Sequence, residues 1–369
     1  MLNRTPKPRT REGNVRKRWH DSVQNIPSLG CSVCPDRGVC GGLRVAEPLF
    51  WCLDYCCGKP DSCDVVCRNN SKFVDYVREI NGFAFDTSAP LPRLTKPILP
   101  ASVPLVFHGN SRADELDVEA AALPFARMFD HRNGNPKYET RDQLRSAFRL
   151  APRTKILLSG TDKDWPIERW WHLGRERRVR ILRTLKRLDV SLVTSPNYSL
   201  FIDQPRWDDL HAMKRISLVH SEMLNEGIAT ALHINGRTET DFHRWAEYLK
   251  KRSEIEFVAY EFATGTRWVD RRELHITWLA SLAEEVGRPL DLIVRGGGEI
   301  LPRLRRVFSQ VVFIDTTSFM KTVKRRRAVL TEGGRMVWRP WPTKPDAPLD
   351  DLLNCNSATV ATWIANQVA

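Results

Sequence analysis

Residues 289–316 read PLDLIVRGGGEILPRLRRVFSQVVFIDT. Two short apolar runs rich in β-branched residues, PLDLIVRG (289–296) and QVVFIDT (310–316), bracket a glycine turn and an amphipathic stretch. Continuous apolar runs of this length suit strands buried on both faces, and strands alternating with helices imply parallel crossovers. The pattern continues outward from this unit. Earlier runs are PLVFHG (104–109), TKILLSG (154–160), VSLVTS (190–195), GIATALHI (227–234) and IEFVAYEF (255–262). Between them, VRILRTLKRL places Val179, Leu182, Leu185 and Leu188 near i, i+3 spacing. DFHRWAEYLKKR and RRELHITWLASLAEEVG also read as helices, the second ending at Gly287. Seven strands, with RMVW (335–338) as the candidate eighth, predict an α/β chain folded as a (β/α)8 TIM-like barrel. An open doubly wound sheet is the alternative, weakened because no G-x-G-x-x-G follows the first strand.

The barrel is expected over residues 104–345, with a C-terminal helix or tail over 346–369. Ahead of it lie a basic disordered arm (1–25), a cysteine-rich module (26–87) and a Pro-rich linker (88–103). The last could equally be an extended covering segment.

The module holds eight of the nine cysteines: Cys31, Cys34, Cys40, Cys52, Cys56, Cys57, Cys63 and Cys67. The start of the chain, MLNRTPKPRTREGNVRKRWH, is polar and basic with no apolar signal core, so a cytoplasmic, reducing setting is expected. Clustered thiols there point to metal rather than disulfides. Cys31-x2-Cys34 and Cys63-x3-Cys67 are fair zinc half-sites. An iron–sulfur (4Fe-4S) cluster also uses four thiolates, and Pro35 follows Cys34. The unit Cys31-x2-Cys34-x5-Cys40-Gly41-Gly42 resembles part of the auxiliary-cluster motif of radical enzymes, which lies at their C-terminus. Iron–sulfur is favoured over zinc. The cluster signature of a radical enzyme, C-x3-C-x2-C, is absent: after Cys52-x3-Cys56 the next position is Lys59.

Net charge is +13, and the excess is concentrated. Residues 1–20 carry seven Lys or Arg against one Glu, 175–187 seven against one, and 321–327 a further five. Three such segments point to a polyanionic partner, above all nucleic acid. No apolar run approaches a membrane span, and nothing in the composition speaks to oligomeric state.

In a barrel, chemistry gathers where strands end. The strand ends supply Asp162, Asp203, Asp315 and Glu261 as candidate catalytic carboxylates. They also supply Asn197, Tyr198, His233 and Asn235 as candidate substrate contacts. Arg295 with Gly296, Gly297 and Gly298 forms a candidate phosphate loop. Tyr198, beyond Pro196, is expected to lie over the barrel end and stack on a ring.

The stretch LVTSPNYSLFIDQP, followed by EGIATALHING and VAYEFATG, resembles an uncharacterised family found in phages and mobile elements. Its hallmark, S-P-[D/N]-[F/Y]-S then D-x-P, is met by Ser195, Pro196, Asn197, Tyr198, Ser199, Asp203 and Pro205. The likeness covers roughly residues 150–305 by order of motifs and excludes the cysteine module. It carries no established activity. tRNA-guanine transglycosylases, barrels with aspartates and a zinc site, are a more distant analogy. The resulting expectation is a metal-cluster-containing enzyme that modifies or exchanges a base in nucleic acid or a nucleotide. A non-catalytic nucleic-acid binder and an enzyme for a small phosphate compound are the alternatives.

Overall fold

A computed structural model describes residues 76, 78–85, 90–200, 206–263, 269–344 and 346–368. The basic arm, the eight clustered cysteines and Asp203 lie outside them.

Eight parallel strands form one sheet: β1 (Ser102–Pro104), β2 (Ala120–Pro124), β3 (Lys155–Ser159), β4 (Val190–Thr194), β5 (Thr230–His233), β6 (Phe257–Glu261), β7 (Asp291–Arg295) and β8 (Gln310–Asp315). From β2 to β8 each pairs with its neighbour in chain order, and β8 pairs with β1. The ring closes between the first two strands, where Val106 donates its N–H to Ala122 O at 2.8 Å. From Pro90 onward the helices among the described residues are α1 (Arg141–Phe148), α2 (Asp164–His172), α3 (Arg175–Arg187), α4 (Arg206–Asn225), α5 (Glu239–Lys250), α6 (Val269–Val286), α7 (Leu301–Leu304), α8 (Ser318–Val323) and α9 (Asp350–Val368).

Two of the strand expectations need correction. The second barrel strand is β2, whose sequence AAALP has no β-branched residue. Alanine is the best helix former, so local propensity hides this strand. All five of its residues are buried, and small side chains suit the crowded interior. RMVW is strand but not barrel: β10 (Met336–Pro340) pairs antiparallel with β9 (Arg326–Leu330) as a separate hairpin. The Pro-rich stretch 90–101 is a covering segment rather than a linker. Leu99 sits in the barrel core, Gln310 Nε2 donates to Leu99 O at 2.8 Å, and Lys96 pairs with buried Asp291.

No helix lies between β1 and β2. Instead α9 packs against β1 and β8. Arg112, in the β1–β2 connection, holds it there: its guanidinium meets Asp350 at 3.3 Å, with both side chains buried. The expected C-terminal helix is therefore part of the barrel's outer layer.

Val103 and Leu105, Ala120 and Ala122, Leu157, Leu192, Ala231, Phe257 and Ala259, Ile293, Val312 and Ile314 form one buried cluster. These are alternate residues, so they mark the inward face of every strand. Gly160 ends β3 where β4 approaches. A Cβ there would meet Thr194 O at 2.3 Å and Ser195 O at 2.5 Å, both backbone atoms. Gly160→Ala is expected to cost about 2–3 kcal/mol as overpacking. Urea unfolding would measure this, and an unchanged midpoint would refute the close approach.

By contact density the chain divides into two units. Among the described residues from Pro90 onward, Tyr198–Leu218 and Asn235–Asp241 belong to one, and the remainder, which includes every barrel strand, forms the other.

Candidate active site at the barrel mouth

Continuing the inward alternation by two residues from the core cluster reaches Ser159, Thr194, His233, Glu261 and Arg295. These are the last inward positions of β3 to β7, at the C-terminal mouth where barrels carry chemistry. Three of the five are ionisable residue types, although the inward layer directly below is wholly apolar: Leu157, Leu192, Ala231, Ala259 and Ile293.

Glu261 and Arg295 are direct partners in the β6–β7 register. Arg295 Nη1 lies 3.4 Å from Glu261 Oε2 and donates to Thr161 O at 2.9 Å. The guanidinium thus crosses the mouth from β7 to the loop after β3. Glu261 Oε1 accepts the Ala263 N–H at 2.7 Å. Burial raises the Glu261 carboxyl above its ordinary pKa; Arg295 and the Ala263 N–H pull the other way without cancelling it. His233 is pushed down to about 3, first by burial and then by the Arg295 charge, so its imidazole is neutral. Its backbone N–H donates to Ser195 Oγ at 2.9 Å. Among the described residues, Ser159 Oγ, His233 Nδ1 and Arg295 Nε are buried without a hydrogen-bond partner. Most buried polar groups in folded proteins are hydrogen-bonded, so these three atoms are open to a ligand.

His233 and His220, the latter lowered to about 4 by burial on α4, keep depressed pKa values in the folded state. Their contribution to stability is complete above the ordinary value of 6.5 and is lost as pH falls through 6.5 toward the folded values. His233→Asn should flatten the decline of melting temperature with falling pH between 6.5 and 3. An unchanged slope would mean that this imidazole is not held neutral.

The other sequence candidates divide. Asp315 does not face the mouth. Val312 and Ile314 point inward, so Asp315 points outward. There its carboxylate accepts the Thr317 N–H at 2.7 Å, the Thr317 hydroxyl at 2.6 Å and both donors of Ser318, which fastens the start of α8. Asp162 is exposed and accepts the Lys163 N–H at 2.7 Å. Neither Asp162 nor Asp315 therefore joins Glu261 in the inward layer of the mouth. Asn197 is half-buried and donates its N–H to Gly160 O at 2.9 Å.

Tyr198 is not an open stacking surface. Its ring is fully buried, with the Arg215 guanidinium 4.1 Å from its centroid. Asn235 Nδ2 donates to Tyr198 O at 2.9 Å, so both residues serve the internal structure of the unit that holds them.

The glycines after β7 are explained by packing. Gly296 and Gly297 have φ of +78° and +70°. A Cβ at Gly296 would meet Ala263 N at 2.5 Å, and one at Gly298 would meet the Trp363 ring at 2.5 Å. Arg295 points into the mouth instead of over this loop.

Sequence reasoning missed Ser159 and Thr194, whose parity with Leu157 and Leu192 was the available signal. It also missed Trp165, 63% exposed in the first turn of α2, with His131 stacked edgewise at 5.1 Å. It is an open aromatic surface just past the loop after β3, the part expected of Tyr198. A separate group, His243, Glu247 and Glu285 on α5 and α6, brings three ligand atoms within 4.8 Å. Lys250 pairs with both carboxylates at 2.8 and 2.9 Å, so the group is a charge-balanced surface network.

The basic segment 175–187 forms α3. Arg178 turns inward, while Arg175, Arg180, Arg183 and Arg187 line an outer groove of about 720 Å³ with Glu176 and Glu226. Among the described residues no helix is long and apolar enough to cross a membrane.

Fold and site together define a (β/α)8 barrel with a buried carboxylate, a half-buried guanidinium and a buried neutral imidazole on adjacent strands of its C-terminal mouth. No known protein family and no curated protein matches the chain.

Proposed function

We propose that the chain is a cytoplasmic enzyme of a phage or mobile element that modifies or exchanges a base in nucleic acid or a nucleotide. The observation that supports this most is the placement of His233, Glu261 and Arg295 on three neighbouring strands, all in the inward layer of the mouth. A carboxyl whose pKa burial raises above the ordinary value holds its proton more readily, as suits an acid–base group. Arg295 offers a fixed cation to an oxygen that gains negative charge in the transition state. Neutral His233 and the Ser159 hydroxyl offer directional hydrogen bonds to ring substituents. Trp165 offers a flat face to a base. The charge of +13 and the arginine face of α3 support a polyanionic substrate.

The eight cysteines are proposed to hold a metal centre, iron–sulfur before zinc, and the chemistry assigned to the mouth does not depend on it. Anaerobic purification followed by iron, sulfide and zinc analysis tests this. Iron with sulfide is expected; zinc alone would make the centre structural, and no metal would end the proposal.

For the enzyme itself, purified protein is incubated with DNA and RNA oligonucleotides and with nucleoside monophosphates. The products are digested to nucleosides and weighed by mass spectrometry. A mass-shifted nucleoside or a released base is expected with the wild type and not with Glu261→Gln. Binding without any product would favour the non-catalytic alternative, and product formed equally by both proteins would remove Glu261 from the mechanism.

A further inference from the structure

The hairpin β9–β10 lies outside the barrel, and the strand ladder does not require its charge. Residues 321–344 carry eight Lys or Arg against one Glu. Arg327 and Arg339 stand directly opposite each other in the antiparallel register. Like charges so placed repel each other and weaken a strand pair. Among the described residues neither forms an ion pair. Trp341 continues β10 by one more pair, its N–H donating to Arg325 O at 2.8 Å. Alternation along the strand places it on the same face as Arg339 and Arg327. The Arg327 guanidinium lies 4.6 Å from its ring centroid, yet the indole is 45% exposed. The opposite face of the hairpin turns inward: Ala328 is buried there, with its N–H bound to Asn356 Oδ1 at 2.7 Å.

We infer that the outer face of this hairpin binds a single nucleic-acid strand, with an unpaired base on Trp341 and its flanking phosphates on Arg327 and Arg339. A base needs a π-surface with cations close by, and phosphates need two cations a short step apart. The hairpin presents both on a rigid ribbon. Carboxylates of a protein partner would satisfy the arginines but would leave the exposed indole without a role. A duplex would engage the arginines but would keep its base faces stacked away from Trp341. This inference deepens the proposal of a nucleic-acid substrate and rests on that substrate class, though not on the chemistry at the mouth.

The test is fluorescence anisotropy of the full chain with labelled single-stranded DNA and RNA 20-mers and with a duplex of the same sequence, over a range of salt. Trp341→Ala should weaken single-strand binding roughly 10-fold, with little change for the duplex. Trp341→Phe should restore most of the loss. Arg327→Gln with Arg339→Gln should reduce the slope of log affinity against log salt by about 1.4, as expected when two phosphate contacts on a single strand are lost. Melting temperatures should match the wild type, since these side chains lie on the surface. Wild-type binding that all three variants retain would overturn the hairpin assignment alone. Equal losses for duplex and single strand at Trp341→Ala would overturn the single-strand assignment. No binding of any nucleic acid by the wild type would overturn both this inference and the proposed substrate class. A dimer in light scattering that Trp341→Ala dissociates would identify the face as a self-association surface and overturn the inference.

Discussion

Glu261→Gln is expected to lower the rate of the barrel-mouth reaction by about 10²- to 10⁴-fold, the range for loss of a positioned acid–base group. The substitution is nearly isosteric, and a glutamine Oε1 still accepts the Ala263 N–H that Glu261 accepts at 2.7 Å. The fold should therefore survive. Stability gives an independent readout. A carboxyl with a raised folded pKa loses stability as pH climbs from its ordinary value of 4.5 through the raised one, because the folded state resists ionisation. Gln cannot ionise, so the variant should lack that decline and equal or exceed the wild type at neutral pH. Loss of activity with unchanged or improved stability is the expected pair of results. Loss of both would show that the Glu261–Arg295 pair is structural. A rate that still titrates with the wild-type profile would place the proton transfer on another group.

Arg178→Ala should be the most damaging change away from the mouth, costing about 3–5 kcal/mol. Arg178 is the one inward arginine of a helix whose others face out, and its side chain is 5% exposed. It makes two bonds to Glu222 on α4, at 2.7 and 2.8 Å, and a third to Trp171 O at 2.8 Å. The guanidinium also lies 4.6 Å from the Trp171 ring centroid. Removing it leaves the Glu222 carboxylate, 11% exposed, without its bidentate cation. The cost arises from that stranded charge more than from the bond itself. The double variant Arg178→Met with Glu222→Leu should therefore recover most of the loss, since an apolar pair strands nothing. Urea midpoints of the single and double variants separate the two contributions, and a double variant as weak as the single one would count against this account.

Both sites show how far linear sequence carries. The run of seven basic residues in α3 reads as one solvated face, but helical period and a facing glutamate turn Arg178 inward. Likewise, DLIVR and FVAYE are legible as buried strands because β-branched and aromatic residues pack well on a pleated surface. Their polar last residues, Arg295 and Glu261, are legible as strand ends. RMVW is legible as a strand for the same reason.

Placement around the ring was not legible. Inward or outward direction has a period of two, so an error of one residue reverses a side chain. Asp315 and Arg295 both end barrel strands, yet Asp315 caps α8 outside while Arg295 spans the mouth. The pairing of Glu261 with Arg295 joins residues far apart in sequence and depends on the β6–β7 register. Strand β2 could not be seen locally, because its alanines favour helix and become strand only where β1 and β3 supply its hydrogen bonds. Chemistry-bearing residue types and strand-forming runs are local properties, written in the order of the residues. Which of those residues meet is set by register, by alternation and by closure of the ring, since backbone hydrogen bonds between distant segments fix the direction of every side chain.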